Sequence, residues 1–342
     1  MWSKVDIVWF IPTLVSLSWI NREVDCCMHS SGVISLDNNG YIGILIGIDE
    51  GVAENQELIE KIKEVFTAGS ADLYTATRNR SYFKNITISV PKNWSDSPSY
   101  DPLTSERYDK SNIIIAEGRE GLGNTPYVAG IPECGVSGRY MHLTPQYIMD
   151  PSVQRLYGTA GKLVVHEWGH LRYGVYDEYP RRSRDPIYYT SSSGTVEATR
   201  CSLAIQGEWS PECQVQNGEP TTGEEDGCRF FDSWQTGGYS ASIMYKQFLP
   251  YMMHFCDSEN NSDSSGMVHN YEAPTKQNVQ CNYKSVWEAV VNYINNDVQD
   301  GEYLGMVVFS STAAVKSPLV EMNDTQRASM LPLSQVLETL AV

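Results

Sequence analysis

Residues 166 to 170 read HEWGH, and their spacing limits what this stretch can become. On an α-helix, positions i and i+4 lie one turn apart on the same face, so His166 and His170 can grip one metal ion while Glu167 stands beside it. H-E-x-x-H is a two-histidine zinc pattern, and a solvated helix face rich in His and Glu is the competing reading. The flanking residues favour the first. Leu163, Val164, Val165 and Leu171 supply an apolar stripe that would bury the helix, and Gly174 is placed to end it in a left-handed turn.

Three residues after that glycine comes Asp177, followed by Glu178. A G-x-x-ligand step after H-E-x-x-H resembles the logic of metzincin peptidases, where the glycine turns the chain so that a third ligand returns to the metal. Two features depart from H-E-x-x-H-x-x-G-x-x-H. The glycine stands one place later, and the third ligand is a carboxylate, which zinc accepts at a distance like that of a histidine nitrogen. Downstream, the run SASIMY holds Ser242, Ile243 and Met244. Metzincins carry a methionine turn beneath the metal histidines, for which Met244 is the candidate; an ordinary core methionine is the alternative.

At 342 residues with 41% hydrophobic content the chain can bury one large core or two ordinary ones. A formal charge of -17 argues against nucleic acid and anionic membranes as partners, because phosphates would be repelled over most of the surface. Beyond the N-terminus no segment has the ~18 apolar residues of a membrane span. Eight cysteines and no C-x-x-C pair fit disulfides in an oxidising compartment better than a cysteine zinc ribbon. Cys134, Cys201, Cys213, Cys228, Cys256 and Cys281 are the disulfide candidates, with Cys201, Cys213 and Cys228 expected to staple the loop-rich residues 180–240; Cys26 and Cys27 sit near the start, in a segment expected to be removed. Asn79, Asn85, Asn93, Asn260 and Asn323 each head an N-x-[ST] glycosylation triplet. Lys4 precedes the apolar run Ile7 to Ile20, so residues 1–30 are expected to form a signal peptide, with a buried strand or helix of the first domain as the alternative.

Tyr41 to Ile48 reads as a strand, and Glu54 to Thr77 as a helix through Leu58, Ile59, Ile62, Val65 and Phe66. Tyr82 to Val90, Asn112 to Ala116 and Arg139 to Leu143 have the composition of further strands. A sheet with one long helix before it and the H-E-x-x-H helix after it is an α/β arrangement of metzincin type, with a peptide substrate expected along an edge strand over the metal.

The runs LDNNGYIGILIGID, YFKNITISVP, VVHEWGHLRYGVYDEY, ATRCSLAI, SASIMY, HNYEAPTKQN and CNYKSVWEAV, in that order over residues 33–290, resemble the N-terminal part of the calcium-activated chloride channel regulators, or chloride channel accessory proteins. The resemblance implies a secreted or surface-associated glycoprotein whose N-terminal domain is a zinc metalloprotease that cleaves its own chain. It also implies a protein that modulates a calcium-activated chloride channel subunit without being a pore. Carried onto this chain, it makes His166, His170 and Asp177 the Zn2+ ligands, with Asp177 preferred to Glu178, and Glu167 the general base. The zinc metalloprotease domain is then expected at residues 31–284. Residues 285–342 resemble a partial von Willebrand factor A segment with no D-x-S-x-S, as in a truncated or spliced product whose strand at Gly305 to Phe309 would leave an apolar edge unpaired. The self-cleavage site lies beyond that segment in the family, so cleavage in cis is not expected here. The rival reading is a non-catalytic extracellular module that regulates a channel by contact.

Overall fold

Alternating isoleucines build the centre of the molecule. Successive strand residues point to opposite faces, so Ile44, Ile46 and Ile48, with Ile86, Ile88, Ile113 and Ile115 of the neighbouring strands, bury one continuous apolar surface. The computed structural model describes residues 3–8, 33–98, 100–102, 105–131, 135–181, 185–216, 219–220, 227–235, 240–255, 270, 272–275, 300–301, 303–309 and 313–326.

In chain order the first elements are β1 (Ser3–Val8), β2 (Ser35–Asp37), β3 (Gly40–Ile42), β4 (Ile44–Ile48), α1 (Gln56–Ala76), β5 (Tyr82–Phe83), β6 (Asn85–Val90), β7 (Asp101–Pro102), β8 (Ile113–Ile115), β9 (Tyr127–Ala129) and β10 (Tyr140–Leu143). Seven of them form one sheet in the order β7-β1-β6-β4-β8-β10-β9. The inner strands β6, β4, β8 and β10 run parallel, while β9 pairs antiparallel with β10 and forms the edge. The chain is therefore a mixed α/β protein. The strand expected at Tyr41 to Ile48 is interrupted at Gly43, whose φ of +74° turns the chain from β3 into β4.

After β10 come α2 (Pro145–Met149), α3 (Pro151–Gln154) and α4 (Ala160–Trp168). Helix α1 starts on Asn55, whose side chain accepts the Glu57 N–H, and buries the expected Leu58, Ile59, Ile62, Val65 and Phe66. Helix α4 starts on Thr159 and buries Leu163, Val164 and Val165. The two helices meet where a side chain would not fit. A Cβ on Gly69 would lie 2.8 Å from Val164 Cγ1, and one on Gly161 would lie 2.8 Å from the Ala68 backbone. Under them, Trp168 stacks edge-on against Phe83 at 4.8 Å and Tyr41 at 5.0 Å, which fixes α4 on the core.

The later elements are short paired strands: β11 (Tyr188–Thr190) with β12 (Val196–Ala198), β13 (Gly207–Trp209) with β16 (Phe230–Asp232), β14 (Val215–Gln216) with β15 (Glu219–Pro220), and β17 (Ala241–Ser242) with β18 (Met252–His254). Cys213 and Cys228 form a disulfide here. Cys201 does not join them. It is a free thiol, 2% exposed, in a separate apolar cluster with Ile205, Tyr245 and Leu249, so the expected three-cysteine staple reduces to one bridge. Cys134, Cys256, Cys281 and Asn260 lie outside the described residues. Asn79, Asn93 and Asn323 are exposed, and Asn85 is half-buried at the start of β6.

Two terminal segments bear on the sequence reading. Ser3–Val8 falls within the stretch expected to be a signal peptide, and its backbone pairs with β6 from Ser3 opposite Val90 to Val8 opposite Asn85; of the apolar run Ile7 to Ile20 it takes in Ile7 and Val8, and the rest lies outside the described residues. At the other end, the strand containing Gly305 to Phe309 has a partner on one side: as β19 (Tyr303–Phe309) it ladders antiparallel with β20 (Ala313–Glu321) in a two-stranded sheet, so β20 supplies the hydrogen bonds of one of its two edges.

Phe83 joins Trp168 to Phe66, at 6.2 Å between ring centroids, so truncating it opens a cavity in the middle of the core. Phe83→Ala is expected to lower unfolding free energy by about 3–5 kcal/mol, read as a fall in the urea midpoint with an unchanged slope.

Candidate metal centre

The H-E-x-x-H residues straddle a change in helix type. His166 and Glu167 lie in the last turn of α4, and His170 lies in the π-helical turn Gly169–Tyr173 that continues it. The turn closes on Gly174, whose N–H bonds back to Gly169 O and whose φ of +61° is left-handed. A π turn takes one extra residue into the helical path, which accounts for a glycine one place later than in the metzincin pattern. A Cβ on Gly174 would also strike the carbonyl oxygen of Val136.

Beyond this turn the chain comes back and brings Asp177 over the two histidines. His166 Nε2 and His170 Nε2 are 3.2 Å apart, and Asp177 Oδ1 lies 3.1 Å from the first and 3.3 Å from the second. On the far side of each ring, His166 Nδ1 donates to Ile243 O at 2.9 Å and His170 Nδ1 donates to Val175 O at 2.6 Å. A carbonyl oxygen can only accept, so both protons sit on Nδ1 and both Nε2 lone pairs face the common centre. Two lone pairs and a carboxylate oxygen so close together call for a positive charge among them.

That charge is a proton or a cation. Burial opposes a charge on His170, but the Asp177 carboxylate outweighs it and raises the imidazole to about 9. Burial likewise pushes Asp177 up, and the two imidazoles more than reverse this, holding the carboxyl far below the usual range. The donor set also fits a tetrahedral metal. Ligands about 2.0–2.1 Å from a zinc ion stand roughly 3.3–3.4 Å from one another, close to the three separations here, and a proton competes with the metal for the same lone pair. Among the described residues, these three are the group of His, Cys, Asp or Glu side chains placed to hold a metal ion.

Glu167 adjoins the cluster, 6% exposed, with Oε2 buried and lacking a hydrogen-bond partner among the described residues. Burial raises its pKa, with the two histidines pulling the other way. A cavity of about 380 Å³ opens over these four residues. Tyr127 and Val128 of the edge strand β9 form one wall, and Tyr176, Tyr179 and Arg181 form the other. Arg181 is held by Asp185 at 2.9 Å. The loop that joins β9 to β10 ties this wall to the end of the H-E-x-x-H helix: Gly138 N donates to His170 O, Ser137 Oγ to Arg172 O and Gly135 N to Gly174 O. These are carbonyls that the end of a helix leaves open.

Met244 lies beneath the helix, its Sδ 2.6 Å from where a Cβ on Gly169 would be, and its carbonyl accepts the Glu178 N–H at 2.8 Å. Glu178, the other carboxylate after the glycine, is turned away from the cluster into a buried site, 2% exposed. The structure thus brings His166, Glu167, His170, Asp177 and Met244 together. The cavity residues Tyr127, Val128, Tyr176, Tyr179 and Arg181 escaped the sequence reading. Only the bracketing of Tyr127–Ala129 by Pro126 and Gly130 hints at a short strand there.

Comparison with known proteins now identifies the chain's relatives. A model of the family described as calcium-activated chloride channel N terminal matches residues 34–301. The chain belongs to that family. It is 37% identical over 281 residues to human calcium-activated chloride channel regulator 4, covering 78% of this chain and 29% of that protein. It is 38% identical over 270 residues to mouse regulator 3A-1, covering 76% and 28% of the two chains. To bovine regulator 1 it is 36% identical over 327 residues, covering 92% and 32%. The chain therefore spans about a third of the length of the curated relatives it matches. No solved structure matches it. Among the described residues, no helix is long and apolar enough to cross a membrane.

Gly174 is the hinge on which the Asp177 position depends. Gly174→Ala is expected to cost at least the ~1–2 kcal/mol of a left-handed alanine, plus the clash with Val136. Thermal unfolding should record the loss, and metal affinity should fall with it; wild-type values for both would show that the turn does not position Asp177.

Proposed function

We propose that this chain is the zinc-dependent metalloendopeptidase part of an extracellular regulator of calcium-activated chloride conductance. One observation carries the chemical half of the reading: two imidazole nitrogens and a carboxylate oxygen meet at 3.1–3.3 Å beside a buried glutamate, under an edge strand. The channel half rests on relatives whose names describe calcium-activated chloride channel regulators. On this reading residues 31–284 form a metzincin-like peptidase domain and residues 285–342 a partial von Willebrand factor A segment. The protein is secreted or held at the cell surface, with a peptide or protein as substrate.

His166, His170 and Asp177 would hold the Zn2+. When bound, the ion supplies Lewis acidity at the scissile carbonyl and lowers the pKa of the attacking water. The remaining work falls to side chains and backbone. The outer rim of β9, half-buried and with no strand beside it among the described residues, would pair with an extended peptide and lay the scissile bond across the cavity. Glu167, its carboxyl drawn toward neutrality by burial, accepts the proton of the attacking water and hands it to the leaving amine. Hydrogen bonds from Nδ1 to Ile243 O and Val175 O keep both rings facing inward throughout.

Glu167→Gln is expected to abolish cleavage of a peptide library while zinc content, measured by elemental analysis, stays at the wild-type level. Equal cleavage by the two proteins would overturn the assignment of the base. His166→Ala and His170→Ala are each expected to lower zinc content, and unchanged stoichiometry in both would remove the site. Chloride currents recorded with Glu167→Gln separate the two modes of regulation. Loss of modulation points to cleavage, and full modulation points to contact.

A further inference from the structure

Tyr127, Tyr176 and Tyr179 all line the cavity over His166, His170 and Asp177, and they are held differently. The Tyr127 ring is engaged by the Arg119 guanidinium at 5.6 Å and by the stacked His142 ring at 4.9 Å, while Tyr176 packs against the main core. Tyr179 packs instead against the separate apolar cluster that contains Cys201, Tyr245 and Leu249, and its hydroxyl faces the Asp177 carboxylate. It is a polar group at the site with no part in holding the three candidate ligands together.

The position of that hydroxyl is set from two directions. Asp177 and Tyr179 both line the cavity, and Glu178 between them turns into the protein, 2% exposed. Backbone pins this alternation: the Glu178 N–H donates to Met244 O at 2.8 Å, and Glu178 O accepts the Thr275 hydroxyl at 2.9 Å. The Tyr179 ring stands edge-on to Tyr245 with centroids 6.4 Å apart, and the Tyr245 hydroxyl is itself tied to Asp232 at 2.9 Å. A phenol held at its ring and at the neighbouring peptide group keeps one easy motion, the rotation of its O–H bond, and at neutral pH it is a hydrogen-bond donor without charge. A donor fixed in advance beside a reacting group stabilises charge that develops there at no cost in reorganisation.

We propose that Tyr179 is a catalytic residue, its hydroxyl donating a hydrogen bond to the scissile carbonyl oxygen as that oxygen becomes negative. This rests on the peptidase reading, to which it adds a group acting from the wall opposite β9. As the oxygen of the attacking water bonds to the carbonyl carbon, the π pair of the carbonyl moves onto its oxygen and Glu167 takes the water's proton. Tyr179 keeps its own proton throughout. Before attack its O–H points at Asp177, and rotation turns it to the new anion, so the bond is made as the transition state forms and not in the bound substrate. The hydroxyl therefore acts on kcat and leaves substrate binding nearly untouched.

Tyr179→Phe removes one oxygen and keeps the ring against Tyr245. With a peptide that the zinc-loaded wild-type chain cleaves, the variant is expected to lose roughly tenfold to a hundredfold in kcat with KM within about twofold. A second readout needs no turnover. Isothermal titration calorimetry follows two analogues of the same peptide, one with a tetrahedral, anionic phosphinic group at the scissile position and one with a planar alkene that has no oxygen there. The phosphinic analogue is expected to bind Tyr179→Phe about tenfold or more weakly than wild type, and the alkene about equally. An unchanged kcat, or equal effects on the two analogues, would sink the proposal. So would a lower zinc content in Tyr179→Phe, which would put the hydroxyl in the service of Asp177. Cleavage by wild type and variant alike removes the role of Tyr179 and leaves the peptidase reading standing, whereas a zinc-loaded wild-type chain that cleaves no peptide ends both.

Discussion

Two imidazole nitrogens 3.2 Å apart, each with its ring proton committed on the opposite side, are the interaction on which this structure turns. Neither lone pair can be satisfied by the other, so the pair is stable only with positive charge between them and Asp177 close by. Everything nearby serves that arrangement. Ile243 O and Val175 O hold the two rings, so the chain before Met244 and the chain after Gly174 must both be in place for either histidine to face inward. Those two segments rest in turn on α4, which the Trp168, Phe83 and Tyr41 contacts and the Gly69–Gly161 crossing fix to the sheet.

The same helix end also fixes the edge strand. A helix leaves its last carbonyls open, and here the loop between the edge strand and its neighbour fills them, at His170, Arg172 and Gly174. The edge strand is thereby held in register with His166, His170 and Asp177, not merely close to them. On the peptidase reading, a peptide laid along β9 would inherit its position over the site from backbone hydrogen bonds. The side chains of Tyr127, Tyr176 and Tyr179 line the same cavity.

Much of this was legible in the sequence because the signals are local. The strands at Ile44–Ile48, Asn85–Val90 and Ile113–Ile115 and the helix Gln56–Ala76 follow from apolar period and a capping asparagine. Gly174 was marked by its place at the end of the stripe, and the late glycine was visible as an irregularity whose cause, the π turn, requires coordinates. What stayed hidden depends on distant contacts. The edge strand β9 has three residues, too few for a period to show, and is held by β10 alone. Cys201 reads like any other cysteine, yet its surroundings are Ile205, Tyr245 and Leu249 with no second thiol among the described residues. An apolar run such as Ile7 to Ile20 suits a signal peptide and a strand equally well, and all of it but Ile7 and Val8 lies outside the described residues.

The central claim is that His166, His170 and Asp177 hold zinc through two nitrogens and one oxygen. X-ray absorption at the zinc edge of the purified chain addresses it most directly. The expected result is one zinc per chain with two imidazole nitrogens and only oxygen besides, all at about 2.0–2.1 Å. A sulfur shell near ~2.3 Å, which would place the metal on cysteine, or a chain that retains no zinc, would contradict it.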